Sequence, residues 1–152
     1  MSNPRLAESK VVDAPPSAVY ELLSDYRVGH PQILPKPYFQ SLQVQQGGKG
    51  AGTVARVTMS VMGSKQTLVV TVTEPEPGRV LREDDATAGV TTWFTMTPLD
   101  GGARSRVEIA TEWRAKPGIG GWIEGKLTPM MARRIYRAEL DLIAAHFAAA
   151  TK

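Results

Sequence analysis

Apolar positions change their spacing three times along the chain, from alternate to helical, back to alternate, and finally to helical again. Leu6 to Val12 reads as a strand, and Asp13-Ala14-Pro15-Pro16 stops it. Proline lacks the N–H that a strand ladder needs but is tolerated in the first helical turn, where that group is unpaired anyway, so a helix should begin here with Asp13 or Ala14 as its cap. Val19, Leu22, Leu23 and Tyr26 then fall at i, i+3, i+4 and i+7, one face of a short helix. Pro31, Pro35 and Pro37 bar a long continuation, which makes residues 29–38 a bent connection.

Alternation follows. Leu42 and Val44 share one phase; Val57, Met59 and Val61 another; then Leu68, Val70 and Val72; Phe94 and Met96; Val107 and Ile109. A shorter, more charged run spans Val80 to Asp85. The breaks are turn chemistry: Gly47-Gly48-Lys49-Gly50, Met62-Gly63-Ser64, Glu76-Pro77-Gly78 and Asp100-Gly101-Gly102. Six consecutive hairpin-connected strands are implied, and period two with a single apolar face is the pattern of an antiparallel sheet covered on one side.

After Pro117-Gly118 the helical period returns. Leu127, Met131, Ile135, Ala138, Leu142, Ala145 and Ala149 trace a stripe, with Arg133, Arg137, Glu139 and Asp141 mostly off it. Thr128-Pro129 is either a kink or the cap and first turn of that helix. The sheet's apolar face needs a cover, and this helix carries the one long apolar stripe available, so the fold class is α+β.

Composition narrows the function. With 152 residues the chain is expected to be one domain that supports its own core. There are no cysteines, which excludes disulfides, thiolate zinc sites and cysteine nucleophiles. The two histidines, His30 and His146, are too few for a three-histidine zinc site, and no cofactor or metal is expected. Residues 1–10 are polar and no apolar run reaches the length of a membrane span, so a cytoplasmic location is expected. The net charge of +3 is spread along the chain except at Arg133, Arg134 and Arg137, and no strand interleaves aromatic with basic residues; nucleic acid is therefore not an expected partner.

The order of elements, with particular motifs, resembles the START-like (SRPBCC) superfamily and its polyketide cyclase/dehydrase-type members. The matching features are Val12-Asp13-Ala14-Pro15 ahead of Val19-Tyr20-Glu21-Leu22-Leu23-Ser24-Asp25, the turn Gly48-Lys49-Gly50-Ala51-Gly52, and Glu74-Pro75-Glu76-Pro77-Gly78-Arg79. Pro98-Leu99-Asp100-Gly101-Gly102 and Gly118-Ile119-Gly120-Gly121 complete them, so the resemblance covers essentially the whole chain. It implies a helix-grip fold, in which a curved antiparallel sheet of about seven strands wraps a long C-terminal helix around a hydrophobic cavity. Such domains include lipid carriers, ligand sensors and cyclases, so the fold alone does not choose among them.

Candidate site residues follow from the strand phases and from the resemblance. Val57, Met59, Val61, Val70, Phe94, Met96 and Ile109 share the expected concave face with Met131 and Ile135 of the helix. Methionine's flexible thioether adapts to varied apolar shapes and tryptophan gives area plus one donor, so Trp113 and Trp122 join the expected lining. His30, with Tyr26 and Tyr38 near it, sits where the resemblance puts a lid, and a histidine there can move a proton. Within Arg82-Glu83-Asp84-Asp85, alternation sends Arg82 and Asp84 to one face and Glu83 and Asp85 to the other. An inward Arg82–Asp84 pair would fix a ligand's polar end, but the adjacent apolar residues leave the phase open. Glu108 and Glu112 read as convex-face charges. Gly47 to Gly52 lacks the Ser or Thr that must follow the lysine of a phosphate loop, and is read as a turn.

No serine stands in a nucleophile motif, and no catalytic residue is assigned. The favoured function is binding of a hydrophobic small molecule, lipid, isoprenoid or polyketide-like, between sheet and helix. The alternatives are a polyketide cyclase/dehydratase-type enzyme, or a protein- or ribosome-interaction module working through the arginine face of the last helix.

Overall fold

The structure, a computed structural model, describes residues 5–61, 63–113 and 129–150. Its elements are β1 (Arg5–Val12), α1 (Pro16–Ser24), a 3-10 turn (His30–Ile33), β2 (Phe39–Gln46), β3 (Val54–Val61), β4 (Ser64–Glu76), β5 (Val80–Asp85), β6 (Val90–Leu99), β7 (Arg104–Trp113) and α2 (Pro129–Ala150). Strands β2 to β7 form the expected meander, and β1 adds beside β7, giving one antiparallel seven-stranded sheet ordered β1-β7-β6-β5-β4-β3-β2. Each neighbour within the meander is the next strand in sequence, so only the β1–β7 pairing must close a long loop. Bulges between Phe39 and Ser41, Val44 and Gln46, and Thr73 and Glu76 bend the sheet, and its concave face takes the apolar phase.

On β3 the alternation is plain: Ala55, Val57, Met59 and Val61 are buried and Arg56 is exposed between them. Leu81, Phe94, Met96, Val107 and Ile109 continue that buried face across β5, β6 and β7. The cap of α1 differs from expectation. Pro15 takes the cap position in extended conformation with no side-chain bond, and Pro16 opens the helix. Two consecutive prolines set the backbone angles there, so the entry needs neither Asp13 nor Ala14 as a cap.

Helix α2 opens on Pro129, the position where a proline costs least. Its buried face differs from the stripe read in the sequence: Ala132, Ile135, Glu139, Leu140 and Ile143 are buried, whereas Leu142 is 37% exposed and Ala145 faces solvent. The two stripes share Ile135 and differ by about one residue, roughly 100° around the axis. Glu139, which helical spacing places off the apolar stripe, lies on the covered face.

Charges on β1 set the position of α2 over the sheet edge. The pairings Leu6↔Thr111, Glu8↔Ile109, Lys10↔Val107 and Val12↔Ser105 put Glu8 and Lys10 in the inward phase between two buried apolar residues. They meet the flank of α2 there: Arg133 and Arg137 both bond Glu8, the latter at 2.8 Å, and Lys10 reaches Asp141 at 3.0 Å. Arg133, Arg137 and Asp141 follow one another at i+4 steps, so three short links align the helix with the strand. The bond from Arg137, with help from Arg133, holds the Glu8 carboxyl below its ordinary range. Among the described residues no helix is long and apolar enough to cross a membrane.

The rotated face of α2 can be tested directly. Ile143→Ala should cost about 2–5 kcal/mol, as for a large aliphatic truncated in a core. Leu142→Ala should cost under about 1 kcal/mol, because it is partly exposed. Urea unfolding midpoints of the two variants measure this, and the reverse order would restore the stripe read from sequence.

Candidate ligand-binding site

A cavity of about 80 Å³ lies between the concave face and α2. It lies where residues of β2 to β7 and of α2 face one another without filling the space between them. One part of its wall is apolar: Phe39 and Leu42 of β2, Val57 and Met59 of β3, Leu68 and Val70 of β4, and Phe94 of β6, with Leu34, Val90, Trp113, Ala132 and Ile135. The remaining lining residues are polar: His30, Glu83, Thr92, Thr111, Tyr136 and Glu139.

The end of α1 positions His30. Its backbone N–H bonds Asp25 O at 2.7 Å, and its Nδ1 donates to Leu23 O at 2.8 Å, the carbonyl being able only to accept. That bond fixes the tautomer and turns Nε2 to within 3.6 Å of Glu83 Oε2. The ring stacks on Tyr26, centroids 4.5 Å apart, and meets Phe94 edge-on at 5.5 Å. Tyr26 donates its hydroxyl to the same Glu83 oxygen at 2.6 Å. Burial, and after it the Glu83 charge, push the Tyr26 phenol well above its ordinary range, so it remains a donor.

The glycine turn supports this corner. Tyr26 N–H bonds Gly48 O at 2.8 Å and Gly50 N–H bonds Ser24 O at 2.9 Å, tying the end of α1 to the turn before β3. Gly50 has φ +60°, and a Cβ there would stand 2.4 Å from Glu74 Oε1, an oxygen that accepts from Ala51 N–H at 2.8 Å. Tyr20 donates to the other Glu74 oxygen at 2.5 Å. Gly29 is needed for a different reason: a Cβ on it would lie 2.2 Å from the Leu22 carbonyl oxygen, so this connection packs backbone against backbone.

Thr92, opposite Glu83 on the neighbouring strand, meets the Thr111 hydroxyl at 2.9 Å, and Thr111 also bonds Tyr136, a hydroxyl chain linking β6, β7 and α2. Glu139, one turn beyond Tyr136, is 3% exposed. Burial, with the nearby Glu83 adding to it, raises the Glu139 carboxyl well above its ordinary range and favours its neutral form.

Of the residues expected from sequence, His30, Val57, Met59, Val70, Phe94, Trp113 and Ile135 line the cavity. Tyr26 stands behind His30; Val61, Met96 and Ile109 are buried in the surrounding core; Tyr38 and Met131 are partly buried against it. Trp122 lies outside the described residues, as do Met62 and Gly118 to Gly121. Arg82 and Asp84 do not reach the cavity. The pairing of Leu81 with Phe94 and of Glu83 with Thr92 turns Glu83 inward, leaving Arg82 and Asp84 on the opposite face. There Arg82 bonds Asp84 at 2.8 Å and lies over the Trp93 ring, while Thr91 donates to Asp84 at 2.6 Å. Asp85, also inward, is buried but occupied with backbone, accepting from Val69 and Ala88 N–H groups at 2.8 Å each.

Glu139, Tyr136, Thr92 and Thr111 were not singled out from sequence. A signal existed for the first, an acid at i+4 from Ile135 and i−4 from Ile143, flanked by apolar residues on one face. Among the described residues no group of three or more metal-ligating side chains gathers.

The family model described as polyketide cyclase/dehydrase and lipid transport matches residues 3–148. The chain belongs to that family. Among solved structures similar to this polyketide cyclase/dehydrase and lipid-transport family member is the KanY protein, at 28% identity over 96% of this chain and 98% of that one, with a TM-score of 0.82. The Zhui aromatase/cyclase from Streptomyces sp. R1128 shares the fold at 20% identity, with 98% and 96% covered and a TM-score of 0.68. A START superfamily protein from Mycobacterium smegmatis shares it at 14% identity, with 93% and 92% covered and a TM-score of 0.62. Among curated proteins none matches at a significant level.

The buried carboxyl gives a signed pH effect. As pH rises past the ordinary value of 4.5, an unfolded chain releases the Glu139 proton while the folded one holds it, so this residue's contribution to stability falls until the raised folded pKa is passed. Glu139→Gln should therefore gain stability relative to the unsubstituted chain as pH increases from that value. Urea unfolding across pH measures the difference, and a difference independent of pH would mean that Glu139 is not protonated in the fold.

Proposed function

We infer that this protein binds a hydrophobic small molecule, of lipid, isoprenoid or polyketide-like chemistry, in the cavity between sheet and α2. The observation that carries this is the division of the cavity wall into a continuous apolar part and a polar corner at His30, Glu83 and Glu139. Apolar contact supplies affinity at about 25 cal/mol per Å² removed from water, and the polar groups set orientation. The family description, which includes lipid transport, supports the same reading. A cavity of about 80 Å³ suits a slim chain or one ring end without rearrangement; a fused polycycle requires the side chains to give way.

A second reading, a cyclase or dehydratase, is favoured by one arrangement: His30 Nε2 and the Tyr26 hydroxyl converge on Glu83 Oε2 beside an apolar cavity. A nitrogen base held in one tautomer next to a carboxyl can take and return a proton while the wall folds a flexible substrate.

For the binding reading, a panel of lipids, isoprenoids and aromatic polyketides should contain a compound that raises the melting temperature by roughly 5–10 °C at about 100 times its Kd. Met59→Arg, once shown by circular dichroism to be folded, should abolish that rise. A panel without effect, together with native mass spectra free of co-purified ligand, would sink it. For the enzyme reading, His30→Gln should lower turnover of a linear poly-β-ketone by about 10²–10⁴ with the unfolding midpoint little changed. Unchanged turnover would remove His30 from the chemistry.

A further inference from the structure

The polar corner has a definite electrical sense. It presents two carboxyl groups, Glu83 and Glu139, and among the described lining residues there is neither lysine nor arginine. Its one basic side chain, His30, already faces Glu83, and its Nδ1 proton is committed to Leu23 O. Tyr26 donates to Glu83, and two of the three hydroxyl protons of Thr92, Thr111 and Tyr136 are used within their own chain. Acceptor oxygens therefore dominate what an incoming group meets.

We propose that the ligand's buried end is a hydrogen-bond donor without negative charge, a hydroxyl or an amine, and that this corner rejects a carboxylate. The proposal rests on the reading that the cavity holds a hydrophobic small molecule. A carboxylate would lose its water beside Glu83 and Glu139 and find no cation among the described lining residues to replace that water. A hydroxyl donates to a carboxyl oxygen and can accept from Glu139, which burial favours in the protonated form. An amine enters as its ammonium and forms a charge-assisted bond with Glu83. Specificity of this kind comes from what the site leaves unpaired in the wrong ligand more than from what it gains with the right one.

Octan-1-ol, octylamine and octanoate share one chain and differ only at the head. Calorimetric titration of each into the full chain near pH 8 reads the head preference. The alcohol, the amine or both should bind roughly tenfold or more tighter than octanoate. Glu83→Gln and Glu139→Gln should each narrow that ratio, and either one suffices if the other fails to fold. Octanoate binding as tightly as both of the others overturns the proposal while leaving the cavity reading in place. So does a preference that persists unchanged in both Gln variants. Binding of none of the three overturns the cavity reading, and the proposal with it.

Discussion

A bent antiparallel sheet with one apolar face cannot leave that face to water, and covering it, with α1 against β6 and β7 and α2 along β1, is the constraint on which the rest of this structure depends. The sheet's bulges make its inner surface concave. Contact is therefore strong along β1, where Glu8 and Lys10 are linked to Arg133, Arg137 and Asp141, and gives way to a cavity where the wall recedes. Exposed ion pairs add little stability individually, so their main effect here is to choose one placement of the helix among several that would bury similar area. The same links occupy two of the three clustered arginines that would otherwise offer a basic face to a partner.

A cavity walled partly by acids is an expensive arrangement unless each acid has company. Three solutions occur within a short distance. Asp85 accepts backbone N–H groups and becomes part of the β5–β6 turn. Glu83 accepts from Tyr26 and faces His30, and Glu139 has its neutral form favoured by burial. Only the latter two look into the cavity, so the structural acid is separate from those that line it. The connection carrying His30 is correspondingly rigid: the glycine turn is bonded to the end of α1, and Gly29 packs on the Leu22 carbonyl. A site built on such a frame holds its polar corner in place before any ligand arrives, which lowers the ordering cost of binding.

Element order, the one-sided sheet, the need for a helical cover and the family resemblance are legible in the chain alone, because period two and period 3.6 are local properties and turns announce themselves in glycine and proline. It also placed Val57, Met59, Val70 and Phe94 on the phase that lines the cavity. What it left open was phase wherever charge and apolarity compete. In Val80 to Asp85 either alternation was allowed, and the register of β5 against β6, with Leu81 opposite Phe94, turned Glu83 inward and Arg82 with Asp84 outward. On α2 the acidic side chain of Glu139 argued for the solvent face, yet the helix's links to β1 and its packing at Ile135, Leu140 and Ile143 rotate it beneath the sheet. Both outcomes depend on partners distant in the chain, and a burial cost that looks prohibitive for one residue alone becomes bearable once the fold supplies a neutral form or a donor. That pairing exists only in three dimensions, which is why the apolar half of the site was legible beforehand and the polar half was decided by the tertiary structure.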